Sequence, residues 1–195
     1  FVSKYSYGYS RHSLPFSPKI YNKRILDKLP VRGDVIVFKT PADNRTDYIK
    51  RLIGLPGDTV QILDKDLYLN DVKIKKEKIR DIATVNCGNE VVDADFFKET
   101  LPSGKNYIVV YRSSDTMMNT DKFTVPKNHY FFMGDNRDCS KDSRFLSSVG
   151  YVNINNFVGE ARIIFLSNDK KKGSFFKFWK WHKTIRTDRF FQTIQ

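Results

Sequence analysis

The chain has 195 residues, 34 Lys or Arg against 22 Asp or Glu, a formal net charge of +12, and is 40% hydrophobic and 14% aromatic. That much packing material excludes a disordered chain, the length holds one core or a core with an inserted subdomain, and no apolar run approaches the roughly 20 residues of a membrane-spanning helix. The charge suits anionic lipid, nucleic acid or acidic protein, and half of the excess lies between Asp169 and Gln195, where eight Lys or Arg face two Asp.

The chain opens on Phe1-Val2-Ser3-Lys4-Tyr5, with neither Met nor a leader, and reads as a fragment; any membrane anchor is expected outside it. Residues from Ser6 to Pro30 mix Tyr, Ser and Pro without a steady period and predict an extended ribbon or loop. Gly33-Asp34 then opens Val35-Ile36-Val37-Phe38, apolar on both faces as in a strand buried on both sides, and Pro41-Ala42-Asp43-Asn44 ends it. A second strand, Asp47 to Ile53, stops at Gly54 and at the turn Leu55-Pro56-Gly57-Asp58, whose Pro-Gly order suits type II. Leu67-Tyr68-Leu69 and Val72-Lys73-Ile74 flank Asn70-Asp71, a pair that tolerates the positive φ of a tight hairpin. From about Lys75 to Val125 the chain is polar and irregular, with short strand candidates such as Tyr107 to Tyr111, and is expected to be an inserted β subdomain. Tyr130-Phe131-Phe132-Met133 reads as a buried strand running into the polar loop Gly134 to Arg144, and a last strand is predicted over Glu160 to Leu166. With no helical periodicity before the tail, the class is mainly β.

Lys50 falls inside the second strand, among Ile49, Leu52 and Ile53. An ammonium buried there without a partner carries a large desolvation penalty, and the group can shed its proton instead. Free lysine titrates near 10.4, so at neutral pH only about one side chain in a few thousand is a free amine; a downward shift of about three units costs roughly 4 kcal/mol, within the range of buried lysines. The plainer reading is a lysine that snorkels to solvent at a sheet edge. Ser140, among aspartates, is by itself a turn residue. Cys87 and Cys139 lie far apart without CxxC spacing, so neither a zinc site nor a disulfide framework is indicated and two unpaired thiols are expected. His12, His129 and His182 are scattered outside any H-E-x-x-H or G-x-S-x-G context, so no histidine triad or metal site is expected.

Two stretches change the odds: Asp47-Tyr48-Ile49-Lys50-Arg51-Leu52-Ile53-Gly54-Leu55-Pro56-Gly57-Asp58, and the Gly-Asp-Asn-Arg-Asp-x-Ser-x-Asp-Ser-Arg pattern from Gly134 to Arg144. Both resemble signature boxes of bacterial type I signal peptidases (leader peptidases), Ser/Lys serine endopeptidases. Arg32-Gly33-Asp34-Val35-Ile36-Val37-Phe38 resembles a third box, and Lys4-Tyr5-Ser6-Tyr7-Gly8 resembles the segment after the nucleophile, with order and rough spacing kept from about Phe1 to Leu166. The subdomain matches weakly and the tail not at all. The resemblance implies a coiled antiparallel β-sheet catalytic core over residues 1–58 and 127–168, an inserted β subdomain over 59–126 and a basic aromatic tail over 169–195.

It further implies that the serine of a Ser-Met motif attacks the carbonyl after a small residue, that Lys50 is the unprotonated general base and that the Ser140 hydroxyl orients it. Asp135, Arg137, Asp142 and Arg144 are expected to supply the ion pairs and turn bonds that keep their loop rigid. Substrate would lie along the Lys50 strand beside Asp47, Tyr48 and Ile49, the last two near the pocket for the residue before the cut; core packing is the plainer role for both. No Ser-Met dipeptide occurs in the 195 residues, so the nucleophile and the main oxyanion groups are expected upstream of Phe1 and the chain as written is expected to be inactive. No metal or organic cofactor is implied.

The implied partners are signal peptides of exported preproteins, at the outer (periplasmic) face of the bacterial cytoplasmic membrane, with the transmembrane anchor upstream. In the tail, Phe175, Trp179 and Trp181 interleave with Lys177 and Lys180, a composition for an anionic membrane interface. Single-stranded nucleic acid is the rival ligand but lacks any RNP or zinc-finger pattern, and a terminal helix packed on the core, or a frayed end, is the bland alternative. Two other functions compete: a truncated relative that binds signal peptides or lipid without cutting, and a self-cleaving Ser/Lys repressor, for which no helix-turn-helix segment is visible.

Overall fold

Branched and aromatic residues bounded by Gly, Pro and Asn lay down strands, and the computed structural model describes residues 2–9, 13, 28–114, 116–164 and 192–193 of a nearly all-β protein. A six-stranded sheet runs in the order β1 (Val2–Ser3), β13 (Phe157–Ala161), β2 (Val35–Lys39), β3 (Asp47–Gly54), β11 (His129–Met133) and β12 (Val152–Asn153), antiparallel throughout. A four-stranded sheet has the order β10 (Phe123–Thr124), β4 (Thr59–Leu63), β5 (Asp66–Leu69) and β6 (Val72–Lys73). The third sheet joins β7 (Lys75–Cys87), β8 (Glu90–Thr100) and β9 (Asn106–Arg112), and β14 (Ile163–Ile164) pairs with β15 (Gln192–Thr193). Among the described residues no helix is long and apolar enough to cross a membrane.

Side-chain alternation on β3 and β11 divides the interior in two. Ile53, Phe131 and Met133 point into one core, shared with Val60, Ile62, Leu67 and Val109, while Leu52, Tyr130 and Phe132 point into the other with Ile36, Phe38 and Phe157. Each such side chain contributes roughly 1.5–3 kcal/mol of burial, so β3 and β11 are fixed from both faces. The segment after β1 is held to the second core by Tyr7, which is buried and donates to Asp34 Oδ2 at 2.9 Å. A side chain at Gly159 would meet Ser3 O at 2.3 Å, so the close seat of β1 on β13 requires glycine there.

The turn chemistry behaves as the residues require. Asn70 and Asp71 both take positive φ, 53° and 64°, between β5 and β6, and Gly57 takes φ 91° in the Pro-Gly turn. Three expectations are corrected. The stretch read as irregular from Lys75 is two long strands, β7 of 13 residues and β8 of 11. Their polarity hides them because the backbone ladder and cross-strand pairs such as Glu77 with Lys98 (3.4 Å) support them more than burial does. β2 is buried on one face only: Ile36 and Phe38 are sealed while Val35 and Val37 are half-buried, because that side borders a cleft. The last predicted strand is broken at Arg162 into β13 and β14, and residues 165–166 lie outside the described residues, as do 10–12 and 14–27 of the predicted ribbon and nearly all of the tail, including Phe175, Lys177, Trp179, Lys180 and Trp181.

Candidate active site

Alternation along β3 sends Tyr48, Lys50 and Leu52 to one face and Ile49, Arg51 and Ile53 to the other. Leu52 is sealed in a core; Lys50, one repeat earlier, borders a cleft of about 330 Å³ that is lined from both faces of β3, with walls that include Val35, Ile49, Gly134, Asp135 and Ser140. There Lys50 Nζ donates a hydrogen bond to Ser140 Oγ, across 90 residues of sequence. Burial holds the Lys50 amine below the ordinary lysine range; Asp142 pulls it back up, Arg144 pushes it further down, and Asp135 opposes, leaving a net depression. Gly134 makes the contact possible, since a Cβ there would stand 2.0 Å from Ser140 Oγ and 2.4 Å from Ser140 Cβ.

Ion pairs rig the loop from Gly134 to Arg144 to the sheets. Arg51 grips Asp135 bidentately, Nε to Oδ1 and Nη2 to Oδ2 both at 2.8 Å, donates to Gly33 O at 2.9 Å, and lies over the Tyr107 ring at 4.3 Å. Arg144 grips Asp142 through Nε and Nη2, each at 2.8 Å, while Asp142 Oδ2 also accepts from Gly134 N at 2.9 Å. Ser143 closes the loop base by exchanging bonds with the Phe132 backbone, 2.9 and 3.0 Å. Arg137 is fully enclosed and pairs with Glu99 on β8: Nη1 donates to Oε1 at 2.9 Å and to Tyr111 OH at 2.8 Å, Nη2 donates to Oε2, and Tyr107 OH donates to Oε2 at 2.9 Å. Burial drives the Tyr107 and Tyr111 hydroxyls well above the ordinary tyrosine range, so both remain donors.

The structure thus brings Lys50, Ser140, Asp135, Asp142 and Arg144 together, and it sets Arg137 behind the cleft rather than in it. Ile49 is 52% exposed on the cleft wall and is no core residue. Tyr48 stacks on Phe38 (ring centroids 6.3 Å) with Lys50 Nζ 5.7 Å from its own ring, so it packs on the second core and lies beside Lys50. Asp47 stands at the start of β3, exposed and paired to Lys39 at 2.8 Å. Glu99, Arg51 and Gly134 escaped the sequence reading. Arg51 and Gly134 lay inside the quoted motifs, but nothing local marks Glu99 as the partner of a residue 38 positions away.

The expected pair of free thiols is overturned: Cys87 and Cys139 form a disulfide, with Cα atoms 5.1 Å apart. Their separation of 52 residues carries no spacing signal, because it is the β7–β8 hairpin that brings the turn at Cys87 to the loop.

The sequence matches the family model described as signal peptidase, peptidase S26, over residues 1–166. Signal peptidase I of Rickettsia felis is 40% identical over 213 residues that cover 100% of this chain and 77% of the relative. Signal peptidase I of Rickettsia bellii is 41% identical over 211 residues, covering 100% and 71%. A solved signal peptidase I of Enterococcus faecalis V583 is 29% identical, with 68% of this chain and 97% of that one covered at a TM-score of 0.40. The chain belongs to the signal peptidase family, peptidase S26, and so to a family of peptidases.

Proposed function

We propose that this chain is the catalytic region of a type I signal peptidase that cuts signal peptides from exported preproteins, after a small residue, at the outer face of the bacterial cytoplasmic membrane. The hydrogen bond between Lys50 and Ser140 inside a half-buried cleft carries the proposal, since it fixes the direction of an amine whose burial favours the uncharged form. The nucleophile is a serine of a Ser-Met motif, which these 195 residues do not contain, on a segment preceding Phe1. Its hydroxyl proton passes to Lys50 Nζ as Oγ bonds to the scissile carbonyl carbon. Nζ then gives that proton to the departing amine, leaving an ester; next it takes a proton from the water that attacks the ester carbon and returns it to the serine Oγ as the acyl carbon–Oγ bond breaks.

A substrate seat is available beside the base. β11 pairs with β3 only at Arg51, Leu52 and Gly54, so from Asp47 to Lys50 the edge of β3 turned away from β2 is open among the described residues. An extended peptide adds there as a further strand, its residue before the cut beside Ile49 and Tyr48. Asp135, Arg137, Asp142 and Arg144 hold the loop, and anionic lipid is the second partner we infer, from the composition of residues 169–195 alone.

The test restores the upstream serine segment, supplies a preprotein and replaces Lys50. Lys50→Ala is expected to lower kcat by about 10²–10⁴-fold, and Lys50→Arg to fail equally, because guanidinium keeps its proton. Undiminished cleavage by either variant eliminates Lys50 as the base.

A further inference from the structure

Cys139 immediately precedes Ser140, and Cys87 ends β7 at the tip of the long β7–β8 hairpin. The loop enters firmly: Val110 N donates to Asp135 O at 2.9 Å, Arg137 N to Val110 O at 2.8 Å, and the Asp138 carboxylate accepts from Arg112 N at 2.8 Å and Met117 N at 3.2 Å. Its next main-chain tie to a sheet is Ser143 N to Phe132 O at 3.0 Å. Ser140 lies in the span between these anchors, where its hydroxyl must meet Lys50 Nζ in the space left by Gly134. The covalent tie in that span is the disulfide, one residue away. Its other end stands on a 13-residue strand that the loop otherwise reaches through β8 and β9, so the bond restrains the Cys139 side of Ser140 while the Asp142 carboxylate, bonded to Gly134 N at 2.9 Å, restrains the other. Both cysteines are half-buried, within reach of a small dithiol.

We propose that the Cys87–Cys139 disulfide is a positioning element of the Lys50–Ser140 pair, so that a dithiol reductant which opens it weakens the hold on Lys50 and slows cleavage. The proposal rests on Lys50 being the base. In the exchange the reductant's two thiols become a disulfide, and Cys87 and Cys139 take up the two electrons and two protons as thiols. Once Ser140 swings away, Lys50 gains water and returns toward the ordinary lysine range. The charged groups around it are those of the loop, Asp142, Arg144 and Asp135, the last held by Arg51; its partner on β2, Ile36, does not titrate. Opening the bond therefore moves the pH at which the amine becomes a base, which a purely structural staple does not do.

The complete enzyme, with its upstream segment, is assayed on a preprotein across pH in four forms: oxidised, reduced with dithiothreitol, Cys87→Ser, and oxidised Lys50→Ala. Reduction and Cys87→Ser are each expected to lower kcat about tenfold at neutral pH, with KM little changed and the acidic limb of kcat displaced upward by about one pH unit. Reoxidation restores the wild type, and dithiothreitol leaves Cys87→Ser unchanged. An acidic limb that stays in place overturns the proposal, whether kcat is retained or falls only with the folded fraction measured by circular dichroism. The reductant arm decides the matter even if Cys87→Ser does not fold. Cleavage by Lys50→Ala would instead sink the reading of Lys50 as base, whereas an inactive Lys50→Ala beside an unmoved limb refutes the disulfide's role alone.

Discussion

Glycine at 134 is a requirement of space. Ser140 Oγ occupies the volume a Cβ would take, so Gly134→Ala must push the hydroxyl off Lys50 while the ion pairs of the loop stay intact. A displacement of about 1 Å at a reacting constellation costs about 100-fold in rate. On the proposed mechanism, Gly134→Ala in a protein that carries the serine segment should therefore lose about that factor in kcat with little change in thermal midpoint; an active variant, or one that simply unfolds, contradicts the steric explanation. Lys50 and Ser140 stood out in the sequence only through the two stretches that resemble family motifs, since each alone reads as an ordinary strand or turn residue, and the structure places them in contact. Which residue must be absent for the two to touch is a three-dimensional question, and the letter Gly within Met133-Gly134-Asp135 does not answer it.

Local signals gave the hairpin at Asn70-Asp71 and the strands β3 and β11, whose turns and apolar runs are decided by neighbours in sequence. β7 and β8 were missed because their support is pairing with each other, and the disulfide was missed because that hairpin creates the proximity. Glu99 belongs to the same class: an acid on β8 that becomes meaningful only when β9 lays Tyr107 and Tyr111 beside it and Arg137 arrives from the loop. With both charges sealed, Arg137→Met leaves Glu99 buried and unpaired and should destabilise the fold by about 3–5 kcal/mol, while Arg137→Met with Glu99→Leu should recover most of it. Urea unfolding of the single and double variants measures this. Equal losses in both would show that the pair is not what couples the loop to β8.

For the molecule as a whole, the two cores on either side of β3 and β11 fix the sheet that carries Lys50, and they hold its amine partly out of water. That arrangement opposes stability. The unfolded chain binds the Lys50 proton up to the ordinary lysine range, whereas the folded chain releases it at lower pH. Unfolding free energy therefore rises with pH between the folded and unfolded values, and the cost is full below that window. Lys50→Met should accordingly be more stable than the parent at neutral pH, with the gap closing as pH approaches the ordinary lysine range. Urea melts at several pH values test the sign, and a gap that widens with pH would reverse it.

The mainly β class followed from strand-length runs without helical periodicity, but the sheet order did not, since β13 enters between β1 and β2 from the far end of the chain. The most direct measurement is an NMR titration of the Lys50 side-chain amine in isotope-labelled protein, assigned against Lys50→Met. A midpoint clearly below the ordinary value of about 10.4 is expected; a midpoint at that value would mean that the cleft does not prepare Lys50 to accept a proton.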